Sequence, residues 1–242
     1  MTKAVFLSDA HLRNRVDDGY HHIMKFLDFP GEHIDDLYIL GDLFDFWFCR
    51  GSQVYPDFAP VIEKLTGLRK RGVRIHLFEG NHDFFLGDYF TEGQGISVFT
   101  EWADISLNGM KVLLSHGDTI DRTNRKYILL RKLLRSSLFY NVQMCIPPAV
   151  LWKIARISST VSKELTIESE TIVAKKMETF ALNKFNEGVD AVIVGHCHIP
   201  ILKEYEIGGR KKTFVALGDW IKHYSYLSYE DGRFTLSYFR SA

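Results

Sequence analysis

Cysteine is scarce. Cys49, Cys145 and Cys197 are odd in number and far apart, which excludes a disulfide framework and points to a reducing compartment. No stretch approaches the roughly 20 uninterrupted apolar residues of a membrane span. The opening MTKAVFLSDAH has too short an apolar run for a signal peptide, with an acid close behind it. A cytoplasmic protein is the expectation. Internal repeats and low-complexity linkers are also lacking, so the 242 residues read as one large domain, or one domain with a sizeable insertion.

Acid is missing from one region. Between Arg122 and Lys163 stand nine Lys or Arg and no Asp or Glu, although the whole chain carries 30 of each sign. A basic block is therefore set in an equally acidic body. Such a block attracts anions: phosphate, nucleic acid or an acidic membrane surface. The plainer alternative is a set of solvated helix faces.

What is present alternates in type. Lys3–Ser8, Leu37–Leu40 and Val73–Phe78 read as strands, with helices over Tyr20–Phe29 and Phe58–Arg71 between them. This rhythm favours a buried sheet covered by helices. Trp102–Leu107 and Lys111–Ser115 read as two strands joined at Asn108-Gly109, a strong hairpin dipeptide. The basic block reads as helical until Pro147-Pro148, with a new helix from Ala149 and another over Ser162–Asn186. Strands return at Asp190–Val194, Ile201–Ile207, Lys211–Leu217, Tyr224–Tyr229 and Arg233–Phe239. The architecture expected is an α/β body, residues 1–120 and 188–242, interrupted by a helical insertion at 121–187.

Five strand ends share one chemistry: Ser8-Asp9-Ala10-His11, Gly41-Asp42-Leu43-Phe44-Asp45, Gly80-Asn81-His82-Asp83, Ser115-His116-Gly117-Asp118 and Gly195-His196-Cys197-His198. Ligand sites in α/β sheets lie at that edge. Oxygen and imidazole donors without a cysteine cluster suit Mn, Fe or Zn. Two ions about 3.5–4 Å apart need a bridging carboxylate, for which Asp42 is the best candidate. Asp9, His11 and His198 then complete one ion's set, and Asn81, His116 and His196 the other's. In an extended segment, residues i and i+2 point the same way, so His196 and His198 are read as a forked pair and Cys197 as a packing residue. His21, His22, His33, His76 and His223 have no such context and are read as structural or surface groups.

These five blocks, in this order, resemble the calcineurin-like metallophosphoesterases. The resemblance implies a two-sheet αββα sandwich with a helical lid insertion and two divalent ions per chain, Mn2+ first, with Fe, Zn or Mg as alternatives. A narrower resemblance rests on Tyr38–Trp47, Gly80–Gly87, His116–Thr119 and Leu217–Trp220, which look like the UDP-2,3-diacylglucosamine diphosphatase family of lipid A synthesis. That family cleaves the pyrophosphate of a nucleotide-linked acylated sugar, releasing UMP and a diacylated sugar 1-phosphate. The chain departs from it at His82, where the proteobacterial form has Arg.

Two ions in such a layout supply an activated water near neutral pH and neutralise phosphoryl charge. His82, beside Asn81, is the expected general acid, with Asp83 as its orienting partner. Asp45 and Asp118 either orient ligands or cap turns. The resemblance implies substrate contacts at Asn81, His82, Asn124, Ser162, Thr166 and His196. Ser162 fits the family pattern, whereas Asn124, Thr166 and Ser169 stand where it has other polar or charged residues.

The insertion also carries Leu138-Phe139-Tyr140, Met144-Cys145-Ile146 and Val150-Leu151-Trp152. Greasy helices with bases suit an acylated, phosphate-bearing substrate at an anionic membrane surface; packing onto the body is the plainer role. No obligate protein partner is evident. Nucleic acid is not expected, because the aromatics cluster with aliphatics instead of interleaving with bases. The competing functions are a phosphoesterase for nucleotides, phosphoproteins or nucleic acid, and a non-catalytic scaffold of the same fold.

Overall fold

The computed structural model describes residues 3–28, 34–154 and 169–240. Ser162, Thr166 and His33 lie outside the described residues. The first half runs β1 (Ala4–Leu7), α1 (Asp18–Asp28), β2 (Asp36–Leu40), α2 (Ala59–Lys70) and β3 (Arg74–Phe78), then α3 (Gly87–Gln94), β4 (Ser97–Phe99), β5 (Ala103–Leu107) and β6 (Met110–Ser115). The basic block forms α4 (Arg125–Leu134) and α5 (Ser137–Cys145), and residues 148–154 are helical. Helix α6 (Glu170–Asn186) leads to β7 (Ala191–Val194), β8 (Pro200–Ile207), β9 (Arg210–Leu217), β10 (Ser225–Glu230) and β11 (Arg233–Tyr238).

Two sheets result. One has the order β11-β10-β1-β2-β3-β4, the other β5-β6-β7-β9-β8. In the first, β1 to β4 are parallel, and the β10–β11 hairpin returns from the far end of the chain to pair antiparallel with β1. In the second, β6, β7 and β9 are parallel and the edge strands β5 and β8 are antiparallel.

Strand parity sorts the side chains into layers, because successive residues face opposite sides. Phe6, Tyr38 and Leu40 pack with Leu114, Ile193 and Val215 between the sheets. Their neighbours Leu7, Leu37, Ile39 and Leu77 pack with Ile23 of α1 and Val61, Ile62 and Leu65 of α2. On the opposite outer face, Val192, Val194, Phe214 and Ala216 meet Ala174, Met177, Ala181 and Phe185 of α6. The layering is helix, sheet, sheet, helix, as expected. Helix α6, within the segment expected as an insertion, thus forms part of the outer helical layer.

Asn108 and Gly109 both take positive φ, 48° and 87°, which the two-residue hairpin between Leu107 and Met110 requires. Three local features differ from the sequence reading. Helix α3 and the short β4 were not expected, since α3 has only eight residues, two of them glycine, and one buried apolar side chain, Phe90. The basic helix divides at Ser136, which turns extended (ψ 149°) and accepts from Phe139 N to cap α5. The segment around His196 and His198 is not extended.

Candidate metal centre

The expected ligands emerge from β1, β2 and β3 of one sheet and β6 and β7 of the other. Just past these strands Asp9, His11, Asp42, His196 and His198 have φ of 55°, 45°, 52°, 65° and 57°. Side chains rarely adopt that left-handed region, and a cluster of such residues marks a site whose surroundings hold them there. This corrects the reason given for the His196/His198 pair: two left-handed turns, not strand pleat, set their directions. Cys197 is buried among Val194 and Ala216 in the outer cluster, as a packing residue.

Two glycines let the loops at the strand ends approach, Gly80 within one sheet and Gly195 across the two. A Cβ on Gly80 would collide with Asp42 Oδ1, and one on Gly195 would lie 2.7 Å from Asp9 Oδ2. Only the smallest residue leaves the carboxylates room there.

Asp9 Oδ1, His11 Nε2 and His198 Nε2 face one another, with separations of 3.3 Å between the imidazole nitrogens and 3.3 Å and 3.9 Å from Asp9 Oδ1 to His198 and His11. Asp42 Oδ2 stands between the halves, 3.7 Å from His11 Nε2 and 3.5 Å from His116 Nε2. His116 Nε2 is 3.0 Å from Asn81 Oδ1. Donors about 2.1 Å from a shared ion sit about 3.0–3.4 Å apart at octahedral to tetrahedral angles; the His11–His198, Asp9–His198 and Asn81–His116 separations fall in that range, and the three others, at 3.5–3.9 Å, are wider. His196 is farther out: its amide donates to Asp9 Oδ2 at 2.9 Å and its ring centroid lies 5.0 Å from that of His116.

Outer contacts set the imidazole faces. His116 Nδ1 donates to Leu40 O at 2.8 Å, which leaves Nε2 for a ligand role. His11 Nδ1 faces Asp45 Oδ1 at 3.3 Å, and Arg13 Nε donates to the other Asp45 oxygen at 2.9 Å. Asp45 therefore orients the His11 ring, a candidate ligand, and of the two roles left open above this is the orienting one. Arg13 was missed; an arginine two residues after His11 gives no signal without the fold.

Asp83 is placed differently from its expected role. Its Oδ1 accepts from the amides of Asp42 and Gly80, and its Oδ2 from Phe44 N. It knits the Asp42 loop to the Gly80 loop from below. The His82 ring is held instead by Nδ1 donating to Asp45 O at 3.1 Å, and its amide donates to Asp42 Oδ1. Asp118 accepts from Tyr127 Oη (2.6 Å) and Arg131 Nε (2.8 Å), anchoring α4. Asn124 Oδ1 accepts from Tyr127 N, the N-cap of that helix.

Electrostatics sharpen the picture. Burial raises Asp9, but its hydrogen bond and charge interaction with His198 outweigh this and hold it at about 2. Asp42, also penalised by burial, is held well below the carboxylate range by His116 and His82. Burial lowers His116, yet the Asp42 charge lifts it to about 10. Burial together with His116 drives His196 down to about 4. Two carboxylates thus stay ionised in a buried pocket because imidazoles face them, the balance of partner charge against burial that keeps a buried acid charged.

The family model of the calcineurin-like phosphoesterases matches residues 2–200. The chain belongs to that family. Among relatives, a protein of Pseudomonas putida named UDP-2,3-diacylglucosamine hydrolase is 30% identical over 236 residues, covering 97% of this chain and 98% of its own. One of the same name from Stutzerimonas stutzeri is 32% identical over 218 residues, covering 89% of this chain and 90% of its own. Among solved structures, an archaeal phosphodiesterase aligns over 98% of this chain and all of its own at 12% identity and TM-score 0.48.

Calcineurin-like phosphoesterases are metal-dependent hydrolases, and the residues here fit divalent ions. Three groups each place three donor atoms within 4.8 Å of one another: Asp9/His11/His198, His11/Asp42/His82 and Asp9/Asp42/His116. The remaining described histidines serve elsewhere. His76 contacts Asp36, His223 binds Asp219, and His22 stacks on Tyr224.

Proposed function

We propose that this phosphoesterase hydrolyses the pyrophosphate of UDP-2,3-diacylglucosamine to UMP and 2,3-diacylglucosamine 1-phosphate. The observation that carries the reading is the end-to-end match to relatives of that name, 97% of this chain and 98% of the relative, so that the insertion is shared as well as the ligand blocks. Under this reading Asp9, His11, Asp42 and His198 hold one ion and Asp42, Asn81, His116 and His196 the other, Mn2+ being the preferred metal. Bound ions of this kind polarise the phosphoryl group and lower the pKa of water. His82 then donates a proton to the leaving oxygen, its ring aimed by Asp45 O. Asp83 fixes the two loops that present Asp42 and Asn81.

Of the insertion expected at 121–187, the part before α6 reads the substrate, α6 itself being packed on the second sheet. It presents Leu129, Leu130, Leu133, Leu138, Val142 and Val150 to solvent together with its bases. An acylated substrate at an anionic bilayer matches both features. Asn124, Ser162 and Thr166, with Asn81, His82 and His196, are the proposed contacts to the substrate. No helix among the described residues is long and apolar enough to cross a membrane, and peripheral attachment to the cytoplasmic face is the proposed location.

The test is turnover of UDP-2,3-diacylglucosamine beside a UDP-sugar lacking acyl chains, both with Mn2+. Strong preference for the acylated substrate supports the reading; equal turnover of both sinks it. Cosedimentation with anionic and neutral vesicles at low and high salt tests the membrane part. Equally poor binding to both removes it.

A further inference from the structure

We propose that Arg135, at the corner between α4 and α5, is a positioning residue for the metal centre: it holds the Gly80–Asn81 peptide from the insertion and so aims Asn81. The proposal rests on the two-ion reading of the site.

Asn81 reaches the centre from a loop with little stiffness of its own. Gly80 must be glycine, because a Cβ would collide with Asp42 Oδ1, and glycine leaves its own torsions soft. The amide of Gly80 is fixed by Asp83 Oδ1 at 3.0 Å. Its carbonyl belongs to the next peptide, the one that carries Asn81 N, and Arg135 Nη2 donates to it at 2.7 Å. Rotation of that peptide would swing the Asn81 side chain away from His116 Nε2, now 3.0 Å from Asn81 Oδ1.

Arg135 is itself held. Its backbone N–H closes the last turn of α4 onto Arg131 O, and the amide of Ser136 beside it donates to Leu133 O, while the Ser136 side chain caps α5. Its Nη1 pairs with Glu79 Oε2, while the other Glu79 oxygen accepts from Leu86 N at 3.0 Å. The guanidinium also lies 5.3 Å from the Phe84 ring centroid. One planar fork therefore grips the residue before Gly80, the Gly80 carbonyl and a ring three residues beyond Asn81, a geometry that the point charge of lysine does not reproduce. Asp118 clamps the same helix through Tyr127 and Arg131. Seating of the insertion and aim of the second ion's ligands thereby become one event.

The experiment compares wild type, Arg135→Gln and the double variant Glu79→Gln/Arg135→Gln. Chelator-stripped protein is titrated with Mn2+, melting temperature is recorded, and kcat and KM are measured on bis(p-nitrophenyl) phosphate. Arg135→Gln alone leaves the Glu79 carboxylate buried and unpaired, so a fall in stability is expected from it. The double variant removes that charge and returns the melting point close to wild type. If Arg135 aims Asn81, the double variant still binds one of its two ions about tenfold more weakly and loses about tenfold in kcat, with KM within about twofold, as is typical when an outer partner of a ligand is removed. Two full-affinity ions and wild-type kcat in the double variant would overturn the proposal and leave the pair a purely structural one. Should wild type itself fail to take up two ions, the two-ion reading falls, and this inference with it.

Discussion

The amide of His82 donates to Asp42 Oδ1 at 2.8 Å, while Asp42 Oδ2 faces His11 and His116. One carboxylate is thus held by the backbone of the candidate acid and shared by both halves of the candidate centre.

That arrangement separates two variants. In His82→Ala the amide tie survives, so bound metal stays near wild type while turnover falls by about 10²–10⁴, the usual worth of a general acid. Asp42→Ala removes the shared donor and loses both metal and turnover. Metal analysis of the purified variants beside their kinetics checks this; a metal-free His82→Ala protein would make His82 a ligand.

Asp118 accepts hydrogen bonds from the insertion's Tyr127 and Arg131, and its carboxylate is buried. Asp118→Asn should cost about 3 kcal/mol, the scale for breaking a buried pair on one side. Tyr127→Phe should cost about 1.5 kcal/mol, one hydrogen bond to a charged group. Urea unfolding measures both, and limited proteolysis should cut the Asp118→Asn insertion faster.

Gly195→Ala places a methyl group 2.7 Å from Asp9 Oδ2 and 2.8 Å from Ser8 Cβ. Gly195 has no positive φ, so the effect is steric alone. About 1–3 kcal/mol of overpacking is expected, and Mn2+ affinity should fall with it. Unchanged Mn2+ binding would show that Asp9 has room to retreat.

Away from the centre, Asp36 accepts two bonds from Arg74 (2.7 and 2.6 Å) and one contact from His76 (3.0 Å). Burial raises its carboxyl, but His76 and Arg74 lower it further, so the folded pKa lies below the ordinary 3.8. The sign follows: the unfolded chain takes up the proton first, so this stabilisation is complete above about pH 4–5 and is lost as pH falls through the folded value. Asp36→Asn should be less stable than wild type at pH 7, with the gap closing below pH 4. Denaturation curves at pH 7, 5 and 3 decide it; a gap that widens in acid refutes the assignment.

The amino-acid order alone determined the alternation of strands and helices, the hairpin at Asn108-Gly109 and the ligand blocks, because periodicity and turn chemistry are local. It also placed every strand of the second half within a residue or two. It left Asp45 and Asp118 undecided between orienting a ligand and capping a turn, and it missed Arg13 and Arg135. Those roles depend on which distant groups meet: Asp118 meets α4, and Arg135 meets a loop 55 residues earlier in the chain. It reached the His196/His198 pair by way of an extended segment, whereas left-handed turns at both residues set their aim. Side-chain types fix what chemistry is available. Only the packing of two sheets, with glycine where carboxylates press closest, decided which atoms face one another, since those separations come from contacts between residues far apart in sequence.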